Sequence, residues 1–547
     1  MMFWISPRRA FAGAALTALA VFTSPAHALP DAQVLISVTH NAPGLPAFDR
    51  LTVTRLPAGA SGLGTAIDLP RQLAGVSTDT QVYQRALPAG EYEISALRHA
   101  GVGLALSLGE GSRQLLGRFS VADGQSVDLG RLVVTTVNLQ YLVGRSQRET
   151  SNQALVQKHL PREWAAFQSA SKGQPAVRGW LTEPSPDDTI EAYAMAHLTG
   201  FRRPTEAVDG RVLAASTLGS VLVRGRNGGW TALRSPRMET LLHALPVNSA
   251  EMPDTAMVAV GELSLVLRQP VGSTELQVVD PGNLPLGNLL LVAGGPKTGW
   301  YVVLQQGAKQ RLMRSAQLAG GDWRVVREVE AQPLPLNDPT QAWWWPTPQG
   351  LAMATTKGPI AHLDFATQSW TEHRTPQGLA LLALAPGPAG LLTAVTLANG
   401  NAGGELMMAF RSADGGASWE RVRTLPIPTP TAAKAPYHLA DAAERVLPRQ
   451  LVDGTLVVGQ GVTLRPELMA STDGGTTWQP RKLMRADSSL HVMPSGLLLG
   501  QGTARWLNVD ASRDGGVSWH AELSTFDLEA SKAQSAREAQ EAPNKKP

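Results

Sequence analysis

The chain has 547 residues, of which 17% are charged, with a formal net charge of +3 and no cysteine. The missing cysteines exclude disulfides, thiolate metal sites and cysteine nucleophilic catalysis. Arg8 and Arg9 supply two of the positive charges, so the remainder is nearly neutral, and no Lys/Arg stripe interleaved with aromatics supports binding to nucleic acid.

Residues 1–28 read as an export signal. Arg8 and Arg9 form a positive start, Ala10 to Thr23 is a short apolar run, and Ala26-His27-Ala28 is a small-residue cleavage site with processing after Ala28. A bilayer span needs about 20 apolar residues, and no later segment is apolar enough. The expectation is a periplasmic or secreted protein without a transmembrane segment after cleavage. Ser6-Pro-Arg-Arg-Ala-Phe11 also resembles a twin-arginine signal, which leaves two export routes open.

Residues 29–145 show strands of period two, as in Val34–Val38, Leu51–Leu56 and Tyr92–Leu97. They predict a small β-sandwich. The run Leu87-Pro-Ala-Gly-Glu-Tyr-Glu-Ile94 resembles the strand entry of prealbumin-like and carboxypeptidase-regulatory-like sandwiches. Residues 146–177 are polar with scattered apolar positions and few breakers, and predict a helical connector that includes Gln153–Phe167.

The segment 178–527 is repetitive. Ser412-Ala-Asp-Gly-Gly-Ala-Ser-Trp419, Ser471-Thr-Asp-Gly-Gly-Thr-Thr-Trp478 and Ser512-Arg-Asp-Gly-Gly-Val-Ser-Trp519 share the pattern S-x-D-x-G-x-x-W. Gly416, Gly475 and Gly516 suit the positive φ of a tight hairpin. Asp414, Asp473 and Asp514, with their serines, can bond nearby backbone and close the turn. Each Trp opens the next strand with a large apolar face. Weaker turn-then-Trp units end at Trp230, Trp323 and Trp370, and Leu276 stands where one more is due. The spacing is about 47 residues, a propeller period, with about four strands per unit. The fifth unit, for example, offers Leu379–Leu384, Gly390–Leu397, Glu405–Arg411 and Trp419–Leu425. Seven units result. Trp180 either closes the ring or starts an eighth. After them, residues 528–547 are Ala, Glu, Lys and Gln with little to bury, and predict a disordered tail.

The three turns resemble the Asp-box, or BNR repeat, of the sialidase and sortilin-like superfamily. The resemblance implies an all-β protein with a seven-bladed propeller, in which the boxes are structural and lie away from the ligand face. A sialidase would use a Tyr nucleophile, a Glu that activates it, an Asp acid/base and three arginines on the substrate carboxylate. Phe201-Arg-Arg-Pro204 resembles that family's Phe-Arg-Ile-Pro motif, which makes Arg202 the first clamp candidate and Asp209 the nearest acid. The tyrosines Tyr193, Tyr301 and Tyr437 all precede the last two boxes, and none follows Trp519, where the nucleophile is expected.

Other chemistry finds less purchase. Asp187, Asp188 and Glu191, then Glu251 and Asp254, then Asp441 and Glu444 form acidic clusters, whose carboxyl separation decides hydrolytic use. The 11 histidines lack metal spacing. One Asp per turn falls short of the roughly six to eight oxygens calcium takes. No metal or cofactor is expected. Trp343-Trp344-Trp345 alternates across a strand, and offers either an aromatic platform or side chains that fill the gaps between units. Tyr437 and His438 sit in a long insertion that opens the sixth unit. The reading is a non-enzymatic binding or assembly module that holds an extracytoplasmic protein or glycan on one propeller face. The alternative is a sialidase-type exo-glycoside hydrolase.

Overall fold

The computed structural model describes residues 32–41, 47–57, 64–72, 77, 79–137, 140–170, 174–183, 190–248, 250–331, 341–397, 407–426, 439–460, 467–481, 488–502 and 507–525. The export signal, Asp187, Asp188, Tyr437, His438 and the tail from Leu528 lie outside them. Among the described residues, no helix is long and apolar enough to cross a membrane.

The chain is mostly β. Between Ala32 and Arg145 it builds two sheets. One holds Thr80–Leu87, Ala32–His40, Ser126–Val137 and Gln140–Arg145 in that order, and the first and third strands in sequence pair parallel. The other holds Thr65–Pro70, Arg50–Arg55, Gly90–His99 and Leu104–Ser107, with Arg118–Val121 beside Gly90–His99. Alternation explains their packing. Ala32, Val34, Ile36 and Val38 point into a core shared with Leu51, Val53 and Ile94 of the second sheet. Leu35 points the other way, onto Val156, Trp164 and Phe167 of the helices Gln153–His159 and Pro161–Ala170.

Trp180 belongs to these sheets and not to the repeats. It meets Phe119 edge-on at 5.8 Å, donates to the Leu129 carbonyl at 2.9 Å and carries the Arg145 guanidinium 4.6 Å from its ring. The repeats therefore start at Phe201 and not near residue 178, after a helix at Ile190–Ala196.

From there the described residues form seven four-stranded antiparallel sheets, each from consecutive strands. Their first strands are Phe201–Glu206, Leu241–Pro246, Asn288–Gly295, Ala342–Thr347, Leu381–Pro386, Arg449–Gln450 and Ser488–Val492. The first strands of the first four sheets touch in succession, which puts them on the inside. Both faces of a sheet are covered, which is why Val212–Ser216 is buried at every position. Each neighbouring pair encloses its own core. Leu213 and Met257 join the first two sheets, and Trp345 and Leu384 join the fourth to the fifth. The series returns on itself, since Phe201, Val212 and Leu222 of the first sheet share a core with Leu499 and Val509 of the last. This arrangement is a β-propeller.

The Asp-Gly-Gly turns join the third strand to the fourth and act between sheets as well as within them. The Ser412 hydroxyl donates to Asp414 at 2.8 Å and accepts the Gly416 N–H at 2.8 Å. Ser471 with Asp473 and Gly475, and Ser512 with Asp514 and Gly516, repeat both bonds at 2.8 Å. Gly475 has φ +84°, and a Cβ there would stand 2.3 Å from Val422 of the preceding sheet; at Gly516 it would stand 2.3 Å from Leu468. The turn tryptophans reach back in the same direction. Trp478 Nε1 donates to the Thr424 carbonyl at 3.0 Å and Trp323 Nε1 to the Pro281 carbonyl at 2.7 Å. Trp230, in the first sheet, makes the corresponding bond to Glu522 of the last at 3.1 Å. Trp419 and Trp519 pack into the cores shared with the preceding sheets. Leu276, at the vacant Trp position, is buried between the first two sheets.

Candidate functional site at the mouth of the central channel

Several first strands carry charged or imidazole side chains, among them Arg203, His243, Arg449 and His491. Arg203 lies near the start of the first sheet's inner strand, where pairing with the second strand is interrupted between Arg202 and Thr205. Its φ is +25°, outside the range comfortable for a side-chain-bearing residue. Such strain persists where the surroundings hold it and gathers at ligand-binding places. The Arg203 guanidinium crosses the middle of the ring and donates to the Trp344 carbonyl in the fourth sheet.

Arg449 opens the inner strand of the sixth sheet and pairs with Glu444 at 3.3 Å. Glu444 belongs to the helix Leu439–Val446 that precedes this strand. Arg449 lies close enough to Arg203 to act on its charge. Solvent reaches Arg203, yet protein crowds it on all sides, and that desolvation, with Arg449 adding to it and Glu444 opposing, lowers its pKa. Desolvation lowers Arg449 likewise against the pull of Glu444.

Two histidines complete the inner wall. Burial, and then Arg203, push His243 down to about 3; burial and Arg449 push His491 down to about 4. Both are neutral near pH 7. His243 Nε2 lies 3.4 Å from the Thr205 hydroxyl, and its Nδ1 accepts the Val292 N–H at 3.4 Å. Among the described residues the mouth therefore presents two guanidinium groups, Arg203 and Arg449, with one carboxylate, Glu444. Delocalised, forked guanidinium groups suit planar oxyanions.

Several residues singled out in the sequence lie elsewhere. Arg202 is exposed beside Arg203, but Asp209 sits past the far end of the same strand, bound to the Arg211 guanidinium at 2.7 Å. The chain does not bring those two together. Trp343, Trp344 and Trp345 are 8%, 2% and 5% exposed. Trp344 faces the third sheet and donates to Gln310 at 2.7 Å, while Trp343 and Trp345 face the fifth. They do point to opposite faces, but both faces are core, so no open platform results.

The remaining candidates are held in structural contacts. Tyr301 is buried with its hydroxyl on Gln368, and Tyr193 stacks on His197. Glu191 pairs with Arg148, Glu251 with Lys297 and Asp254 with Arg268. Among the described residues, no cluster of three or more His, Asp or Glu could hold a metal. Sequence reasoning missed Arg203, Arg449, His243 and His491. Their signal is positional: charged or imidazole side chains on the first strand of a repeat unit.

No family model matches the chain, and no curated protein matches it. Among solved structures it is similar to the WD40 β-propeller domain of Doa1, with 12% identity over 58% of this chain and 94% of that one and a TM-score of 0.35. It is similar to YCF48 bound to D1 peptide, with 16% identity over 52% and 81% and a TM-score of 0.33. A protein from Lactobacillus plantarum gives 12% identity over 60% and 95% and a TM-score of 0.37. Likeness at this level bears on neither partner nor activity.

Proposed function

We propose that this is an exported, non-enzymatic binding or assembly module whose central channel mouth holds an acidic group of a protein or glycan partner. The observation that carries it is the pair Arg203 and Arg449 with Glu444 as the one carboxylate beside them among the described residues. In this reading the ring is a seven-bladed Asp-box propeller, the two N-terminal sheets are a β-sandwich, and residues 1–28 direct export to the periplasm or beyond. The sialidase alternative has less behind it: Tyr301 is buried with its hydroxyl on Gln368, and Asp209 lies past the far end of the strand that carries Arg202, while Tyr437 lies outside the described residues. The test presents the purified protein with arrays of acidic and neutral peptides and of carboxylated and neutral glycans. An acid-bearing subset should be retained, and Arg203→Ala with Arg449→Ala should abolish its retention. Equal retention of neutral members, or no effect of the two substitutions, overturns the reading.

A further inference from the structure

The N-terminal sheets meet the propeller through buried charge. Arg131, on Ser126–Val137, is 2% exposed; it donates to the Ser37 hydroxyl at 3.1 Å and pairs with Glu149 at 2.6 Å and Glu239 at 3.1 Å. Arg237 completes the square, at 2.8 Å from Glu149 and 2.5 Å from Glu239. Two guanidinium groups thus face two carboxyl groups; burial pushes Glu149 up to about 7, while Glu239, despite its own burial, is held well below the usual range by Arg131 and Arg237. Arg237 and Glu239 lie in the connection that leads into the second sheet's inner strand, Leu241–Pro246, which carries His243. Thr240 in the same connection donates to Asp79 at 2.6 Å.

A second tie acts one strand away. Asn41 is 2% exposed, and its amide donates to the carbonyls of Ala194 at 2.9 Å and His197 at 3.3 Å. Those carbonyls end the helix Ile190–Ala196, a few residues before the strand Phe201–Glu206 that carries Arg203. The two inner strands tied in this way are the ones whose side chains meet through Thr205 and His243.

We infer that the N-terminal sheets brace the channel mouth. Through Glu239 and Asn41 they position the inner strands that carry His243 and Arg203, so Asn41, Arg131 and Glu239 are positioning residues for the binding site. The consequence for binding rests on the function proposed above; the mechanical coupling does not. An uncoupled N-terminal unit would leave those strands to the ring alone. With the ties intact, any load on the N-terminal sheets reaches Arg203 across a short, packed path.

Hydrogen exchange on the full chain, read by mass spectrometry without any ligand, tests the coupling. In Glu239→Gln, amides of Phe201–Glu206 and Leu241–Pro246 should exchange faster by roughly 5- to 150-fold, the range of a typical coupling energy. Leu381–Pro386, in the fifth sheet, should keep its wild-type rate. Lys158→Ala removes an exposed bridge to Asp280 and should change neither region. If Glu239→Gln yields no folded protein, Asn41→Ala is read in the same way, since it removes two hydrogen bonds without stranding a charge. Equal acceleration in the fifth sheet, or acceleration confined to residues 32–145, overturns the inference. Failure of Arg203→Ala to alter partner retention would sink the proposed function and leave this result standing.

Discussion

Replacing Glu522 by Ala strands a buried guanidinium where the last sheet meets the first. Arg224 is 2% exposed and Glu522 12%, and they pair through two contacts of 2.6 Å and 2.5 Å. Trp230 Nε1 shares the same carboxylate. Among the described residues each sheet takes its four strands from consecutive sequence, and the first and last sheets are joined through side chains. Breaking a buried pair by removing one partner costs about 3–5 kcal/mol, and the orphaned indole N–H adds about 1–3 kcal/mol if it stays dry. Asp322→Ala, which removes an exposed partner of Arg324, should cost far less, because solvent screens that pair. Urea unfolding of the full chain measures both. Arg224→Met added to Glu522→Ala should restore part of the loss, because the double variant leaves no unpaired buried charge. If Glu522→Ala costs no more than Asp322→Ala, or if the double variant shows the plain sum of the single effects, closure through this pair is wrong.

Gly475→Ala places a methyl group 2.3 Å from Val422 at φ +84°, whereas Gly454→Ala at the same φ meets open space. Both carry a left-handed penalty of about 1–2 kcal/mol, so thermal or urea unfolding should show Gly475→Ala worse by the overpacking cost of about 1–3 kcal/mol. The Thr477 N–H, followed by the Thr477 and Ser471 hydroxyls, holds the Asp473 carboxyl well below its usual range, and the Ser518 hydroxyl and N–H do the same for Asp514. Depressed native pKa values give stability that is present above the unfolded value of about 3.9 and lost as pH falls below it. Unfolding midpoints from about pH 6 to about pH 2 should show that acid loss, and Asp473→Asn with Asp514→Asn should flatten it; an unchanged slope contradicts the assignment. Trp344→Ala should cost about 3–5 kcal/mol of stability. It should reduce partner retention only as far as it unfolds the protein, which retention measured on the folded fraction will check.

The repeat was legible because its turns are chemically constrained. An Asp-Gly-Gly turn needs glycines at positive φ, and the following Trp fills a fixed gap against the preceding sheet, so both recur at the propeller spacing. The degenerate units at Trp230 and Trp323 have the Trp and its backward hydrogen bond with Gly225 and Leu318 where the full turns have Asp. Trp180 misled because its spacing matches, while its ring is held by Phe119, Leu129 and Arg145 of the N-terminal sheets. The triple Trp misled for a different reason. Alternation does send neighbouring side chains to opposite faces, but in a propeller both faces are interior. The channel mouth was hidden because Arg203, Glu444 and Arg449 meet only when distant units close into a ring, and no local pattern encodes that meeting. Arg202 drew attention through its motif, yet its neighbour Arg203 is the residue that crosses the channel.

The most direct test of the central claim compares crosslinking from the two ends of the propeller in cells. A photo-crosslinking amino acid at Arg202 samples the channel mouth, and one at Val517, which is 59% exposed in the third Asp-Gly-Gly turn, samples the opposite end. A specific adduct formed from position 202, absent from position 517 and lost when Arg203→Ala and Arg449→Ala are introduced, is the expected result. An adduct formed from position 517, or one from position 202 that survives loss of both arginines, would contradict the account.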